Sequence, residues 1–197
     1  MNRLITVLLL MASAQAYAGG LSYSYVEAGY AKASFDDTDV DADGFGVEGS
    51  FLLAPSVFAV AGYTQAESDE FTVGATTGSI EVNGGSIGLG FRNAISADAD
   101  FVATANFLFA DVTGDGGFAG VLDDDDTGYL IDIGVRGLVA PQFELAGGVS
   151  YGYIFDDGET SFGIDALFHV TPQFSLIIGG ETSSDARVLS AGARLNF

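Results

Sequence analysis

Apolar and polar residues alternate with a period of two through almost the whole chain. In segment 143–156, Phe143, Leu145, Val149, Tyr151 and Tyr153 alternate with Glu144, Ala146, Gly148, Ser150 and Gly152. In 159–171, Phe162, Ile164, Ala166, Phe168 and Val170 alternate with Ser161, Gly163, Asp165 and His169. In 186–197, Leu189, Ala191, Ala193, Leu195 and Phe197 alternate with Ser190, Gly192, Arg194 and Asn196. Successive strand side chains point to opposite faces, so each segment has one apolar face and one small or polar face. Cut at its turn residues, the pattern predicts strands over 22–35, 44–54, 57–68, 78–92, 100–112, 127–139, 143–156, 159–171, 173–183 and 186–197. The alternation is weakest in the third and fourth, whose register the sequence leaves open.

Such faces need a solvent. The chain is 48% hydrophobic with a mean hydropathy of +0.35, yet it lacks the run of roughly 20 apolar residues that a membrane helix takes. Strands that each turn one face to lipid reconcile these facts. The expected fold is an all-β, transmembrane, antiparallel up-and-down barrel of ten strands, with eight as the alternative. A tilted membrane strand needs about 9–11 residues, which the predicted segments supply.

The connections differ in kind. All three prolines sit in short turns, Ala54-Pro55-Ser56, Ala140-Pro141-Gln142 and Thr171-Pro172-Gln173, with Phe58, Phe143 and Phe174 close behind. A fourth short connection, Asn93 to Asp100, leads into Phe101. Proline presets a turn dihedral and cannot donate to a central ladder. The remaining connections, 36–43, 67–70, 111–126, 156–159 and 181–185, hold 19 of the 27 carboxylates. Tight turns at one end and longer polar loops at the other distinguish the periplasmic and extracellular ends of outer-membrane barrels. Both termini then fall on the periplasmic, proline-turn side. There the pattern gathers Phe51, Phe58, Phe91, Phe101, Phe143, Phe168, Phe174 and Phe197, half of the 16 phenylalanines, into an interfacial girdle. A weaker ring of Tyr30, Tyr129, Tyr153, Phe155 and Phe162 is expected at the other end.

The first residues support export. Arg3, an apolar stretch from Leu4 to Ala14 and the small-x-small site Ala16-Tyr17-Ala18 read as a secretory signal peptide cleaved after Ala18. The expected domains are therefore 1–18, signal peptide, and 19–197, barrel, located in the outer membrane of a Gram-negative cell. Cysteine is absent, which excludes disulfides and a lipidated N-terminal cysteine. Beyond the leader, Lys32, Arg92, Arg136, Arg187 and Arg194 face all 27 acidic residues. Binding nucleic acid needs a basic surface, so that partner is excluded. Such a charge favours solubility, repulsion of anions or association with cations.

Ser190, Gly192, Leu195 and Phe197 resemble the C-terminal assembly signal of outer-membrane barrels, which implies recognition by the barrel-assembly machinery. The opening block from Ser22 to Tyr30 and the Asp41-Ala42-Asp43-Gly44 stretch resemble a family of small, ten-stranded gammaproteobacterial barrels, usually described as porin-like. That resemblance covers the predicted mature chain, and it implies a fold and a location but no activity. Outer-membrane lipid and lipopolysaccharide would be the surrounding partners.

Facing assigns Glu27, Glu48, Arg92, Asp132, Arg136, Glu144, Asp165, His169 and Arg194 to the lumen. Buried charges must be paired, and arginine can bridge two carboxylates. A structural network that plugs the barrel is one outcome, and a cation-preferring lining is the other. Asp39, Asp41 and Asp43 with Gly44 copy the first half of a calcium loop, but Ser50 stands where the bidentate glutamate should be. That leaves only loose divalent association at this loop and at Asp123 to Asp126. A lone histidine, His169, without cysteine offers neither an acyl-transfer constellation nor a zinc site, and no cofactor is expected. Two functions suit such a chain. The first is a non-enzymatic structural or surface-interaction protein that works through its acidic loops. The alternative is a narrow, passive, cation-preferring pore.

Overall fold

The computed structural model describes residues 21–36 and 40–197. The expected signal peptide and Asp39 lie outside the described residues. Among the described residues twelve strands form: β1 (Tyr25–Phe35), β2 (Asp41–Ala54), β3 (Val57–Ser68), β4 (Phe71–Val73), β5 (Thr76–Gly78), β6 (Ile80–Ala94), β7 (Ala99–Gly114), β8 (Asp124–Ala140), β9 (Phe143–Ile154), β10 (Asp157–His169), β11 (Phe174–Thr182) and β12 (Ala186–Asn196). Ten of them close a barrel in the order β1-β12-β11-β10-β9-β8-β7-β6-β3-β2. β4 and β5 make a separate hairpin.

Every neighbouring pair is antiparallel and the seam is closed by β1 against β12, from Tyr25 opposite Asn196 to Phe35 opposite Ala186. Closure leaves no unpaired edge, as a sheet in lipid requires. The third and fourth barrel strands, β3 and β6, pair without a slip from Val57 opposite Phe91 to Glu67 opposite Glu81. The two proline turns at Pro55 and Pro141 each follow a register shift, between Leu52 and Ala54 and between Leu138 and Ala140. These bulges bend the strand into its turn.

The loop end departs from the expected outline. β7 runs on to Gly114 and β8 begins at Asp124, so most of the tetra-aspartate run 123–126 is strand. The β4–β5 hairpin, unforeseen in the sequence, packs on the turn at 116–118, with the Phe71 and Phe118 rings stacked 5.1 Å apart. Between β9 and β10, Phe155 and Asp156 take φ values of 54° and 57°. This is the two-residue turn whose twist suits a hairpin, built here without glycine or asparagine. Its strain is offset locally: the Phe155 N–H donates to Asp126 Oδ2 at 2.6 Å, and the ring is buried.

Alternation decides what faces out. Phe51, Phe91, Phe143, Phe168 and Phe197 are exposed on the outer face, with Phe101 and Phe174 half-buried there. Phe58 corrects the expected girdle. It is wholly buried inside the barrel, with its ring 5.0 Å from that of Tyr23. Phe155 likewise leaves the upper ring for the interior, while Tyr30, Phe45, Tyr63, Phe107, Phe109 and Tyr129 stand exposed outside.

The lumen is also not polar throughout. At the loop end, lumen-facing Ala33, Ala42, Ile80, Val112, Ile154 and Val188 belong to one apolar cluster, against which Phe35, Phe71 and Leu122 pack. At the short-turn end, Leu21, Tyr23, Tyr25, Phe58, Val102 and Leu167 belong to a second. Polar and charged side chains lie between the two and on the inner surface of the second.

Candidate functional site

The central ionic group follows from strand register. Glu27 on β1 stands opposite Arg194 on β12 and, on its other side, opposite Glu48 on β2. Arg194 donates from Nε to Glu27 Oε2 at 2.6 Å, and its guanidinium lies 3.8 Å above the Tyr25 ring. Tyr25 in turn donates its hydroxyl to Glu48 Oε1 at 2.6 Å. Stacking on a ring and a carboxylate at the side suit a planar cation removed from water.

The row continues around the barrel. Ser175 on β11 is opposite Arg194, and His169 on β10 is opposite Ser175. His169 Nδ1 and Ser175 Oγ are 2.7 Å apart, and His169 Nε2 lies 3.3 Å from Glu144 Oε2. Glu144 also binds Arg136 in a buried ion pair. A hydroxyl, an imidazole and a carboxylate in a chain have the composition of a hydrolytic triad. Ser175 is wholly buried, so its hydroxyl presents no surface to a substrate. The chain instead holds Glu144 and His169 in place, since buried polar groups need partners.

The other sequence-derived charges separate from this group. Arg92 sits at the short-turn end, 3.7 Å from Asp100 and 4.5 Å over the Tyr23 ring, and Tyr23 donates to the same carboxylate at 2.9 Å. Asp132 lies in a different row, opposite Thr104 and Ser150. It accepts from both hydroxyls, at 2.7 Å from Ser150, and from Asn106 Nδ2 at 3.3 Å. Three neutral donors there replace a cation. Asp41 and Asp43 lie in β2 rather than in a loop, and Asp41 binds Lys32 at 2.7 Å. Among the described residues, no group of three or more acidic or histidine side chains is placed to hold a metal.

A cavity of about 120 Å³ lies at mid-barrel. It exists because lumen-facing positions there are glycines: Gly29 is opposite Gly46 and Gly192, and Gly148 is opposite Gly134 and Gly163. At Gly148 and Gly192 a Cβ would lie 2.6 Å from a neighbouring strand's carbonyl oxygen, so the strands' approach itself demands glycine. Asp165 lines this cavity with Glu27, Glu48, Arg136 and Arg194. Glu181 and Thr64 line it too, and neither stood out in the sequence.

A closed antiparallel barrel with an apolar outer face, aromatics at both ends and an ion-paired interior defines a β-barrel membrane protein. The sequence matches the outer membrane protein beta-barrel domain family over residues 4–197, and the chain belongs to that family. Its place is therefore the outer membrane. No curated protein matches the chain. Among solved structures it is similar to the NanC porin, with a TM-score of 0.53, 10% identity and coverage of 87% of this chain and 100% of that one. It is similar to the KdgM porin in complex with oligogalacturonate, with a TM-score of 0.51, 10% identity and coverage of 87% and 99%. The translocator domain of the autotransporter NalP from Neisseria meningitidis gives a TM-score of 0.50 at 10% identity, covering all of this chain and 94% of that one. At such identity these likenesses establish the fold alone.

Proposed function

We propose that the protein is a closed, non-enzymatic barrel that acts at the cell surface through its acidic loops. The observation that supports this reading is the pair of apolar clusters, one toward each end of the lumen, with charged groups between them and against the second. A conducting pore needs a continuous polar path, and apolar constrictions oppose one by dewetting. The short-turn end would face the periplasm and the loops the exterior. Lipid and lipopolysaccharide would surround the apolar outer face, and divalent ions would associate loosely with the loop carboxylates.

A narrow cation path is the second reading. It is favoured by the cavity lining, where Glu27, Glu48, Asp165 and Glu181 outnumber Arg136 and Arg194. That lining does not suit an anionic sugar such as the oligogalacturonate bound by KdgM. Planar-bilayer recording of the refolded protein separates the two readings. Silence is expected, and discrete cation-selective steps would overturn the closed-barrel reading.

We further propose that Ser190, Gly192, Leu195 and Phe197 serve as the assembly signal. Leu195 and Phe197 face outward and exposed, where a folding partner can reach them, while Ser190 and Gly192 face the lumen. Phe197→Ala should lower the yield of heat-modifiable barrel in cells; an unchanged yield would remove that role.

A further inference from the structure

The short-turn mouth is closed in part by residues that belong to no strand. Pairing of β1 begins at Tyr25, opposite Asn196 on one side and Ser50 on the other, so the cylinder is complete without residues 21–24. Yet Leu21 and Tyr23 are buried and belong to the apolar cluster at that end. A segment that ran on along the wall would leave these side chains at the rim. Their burial means that the chain ahead of β1 turns inward.

Tyr23 reaches across the mouth. Its hydroxyl donates to Asp100 Oδ2 at 2.9 Å, and Asp100 stands on β7, four strands from β1 in a ring of ten. Four steps of ten is nearly opposite, so the segment and its side chain together span most of the lumen. On the way the ring packs 5.0 Å from that of Phe58 on β3 and under the guanidinium of Arg92 on β6, 4.5 Å from its centroid. Leu21 takes the other half of the mouth. It lines a recess of about 380 Å³ with Pro141, His169 and Pro172, at the turns that join β8 to β9 and β10 to β11. Leu167 belongs to the same cluster and also lines the mid-barrel cavity. The cluster thus separates recess from cavity, and the segment supplies two of its members.

The hydrogen bonds let this segment move as a unit. Ser22 Oγ donates to the Ser24 carbonyl at 2.8 Å and accepts from the Ser24 N–H at 3.1 Å. Bonds to the wall beside β1 hold its root: the Leu52 N–H donates to Ser24 Oγ at 3.3 Å, and the Phe197 N–H to the Ser24 carbonyl at 3.0 Å. Ser50 Oγ donates to the Tyr23 carbonyl at 2.9 Å. Swinging residues 21–23 outward about Ser24 breaks no rung between strands.

We propose that residues 21–24 form a strap, hinged at Ser24, that gates the mid-barrel cavity from the short-turn side, with the bond from Tyr23 to Asp100 as its catch. The proposal rests on the closed-barrel reading. With the strap out, recess and cavity join into one pocket, while the apolar cluster at the loop end still blocks passage. The device therefore admits water and small cations to the group around Glu27 and Arg194 without making a pore. Such a local opening needs far less free energy than unfolding of the barrel.

Cysteine is absent from the chain, so Ala146→Cys supplies a lone thiol at a buried position of the cavity wall. Its modification by a small cationic methanethiosulfonate is timed on the refolded protein by mass spectrometry. The rate follows the open population when closing is fast. Ala146→Cys alone should react slowly. Adding Tyr23→Phe, which keeps the ring and deletes the catch, should speed the reaction about 10-fold. Adding Leu21→Gly/Tyr23→Gly should speed it further, and adding Phe71→Ala, which loosens the opposite end, should leave it unchanged. Heat-modifiable migration reports folding of each variant. A slow reporter that neither strap variant accelerates would overturn the strap and leave the closed barrel standing. Fast modification of Ala146→Cys alone would overturn both. Equal acceleration by Phe71→Ala would mean general loosening and would overturn the strap.

Discussion

The two ends of the lumen are closed by different means. At the loop end, small and β-branched side chains on alternate strand positions meet in the middle, and Phe71 and Leu122 descend on them from the loops. At the short-turn end the filling is aromatic, and the cations of Arg92 and Arg194 lie on the rings of Tyr23 and Tyr25. A layer of small side chains tolerates local change, because each contributes little. A layer of a few large groups, each tied to a charge, concentrates its stability in single residues. The short-turn end should therefore be the more brittle.

The largest effect is expected from Arg136→Ala. It leaves the wholly buried Glu144 without its guanidinium, a loss worth about 3–5 kcal/mol. Urea unfolding in detergent should show it as a lower midpoint. An unchanged midpoint would mean that the pair adds nothing to this end. Phe58→Ala comes next, at about 3–4 kcal/mol, because the ring fills the space beside Tyr23. Phe51→Ala, which removes a ring 56% exposed on the outer face, should cost far less in the same assay. Equal costs would break the distinction between lumenal and outward phenylalanines. The smallest effect belongs to the loop end: Asp156→Gly at φ 57° should stabilise the protein by up to about 1 kcal/mol. Thermal shift of the heat-modifiable band measures it, and destabilisation would show that the aspartate side chain matters more than the turn strain.

The sequence reveals strand number, closure and facing wherever the two faces differ in polarity, as in β9, β10 and β12. It fails where that contrast vanishes. In β3 the inward Phe58 and Val60 and the outward Val57, Ala59 and Ala61 are all apolar, so parity is unreadable there and Phe58 turns inward against expectation. Phe155 departs from expectation for another reason. Its positive φ turns the ring back into the barrel, and no glycine or asparagine marks the turn. The β4–β5 hairpin has three residues per strand, too few to establish a period. Of the candidate site, alternation marks most of the ionisable lumen residues but not Asp100, Glu159 or Glu181, and it does not give their grouping. Which charges meet depends on cross-strand register, which sets Glu27 beside Arg194 and leaves Asp132 to hydroxyls. Glu181 falls both in the expected strand 173–183 and in the expected connection 181–185, and the structure places it in β11.

The ion pair between Glu27 and Arg194 joins positions 167 residues apart, and it lies across the β1–β12 seam. It thus belongs to the seam contacts of greatest sequence separation, whose loop must close before any gain is returned. Every other strand pair can form while the sheet is still open, but this one marks the moment at which the sheet becomes a cylinder. Arg194 is therefore a latch in time as well as in space: until it docks over Tyr25, two unpaired edges face the lipid, and afterwards none does.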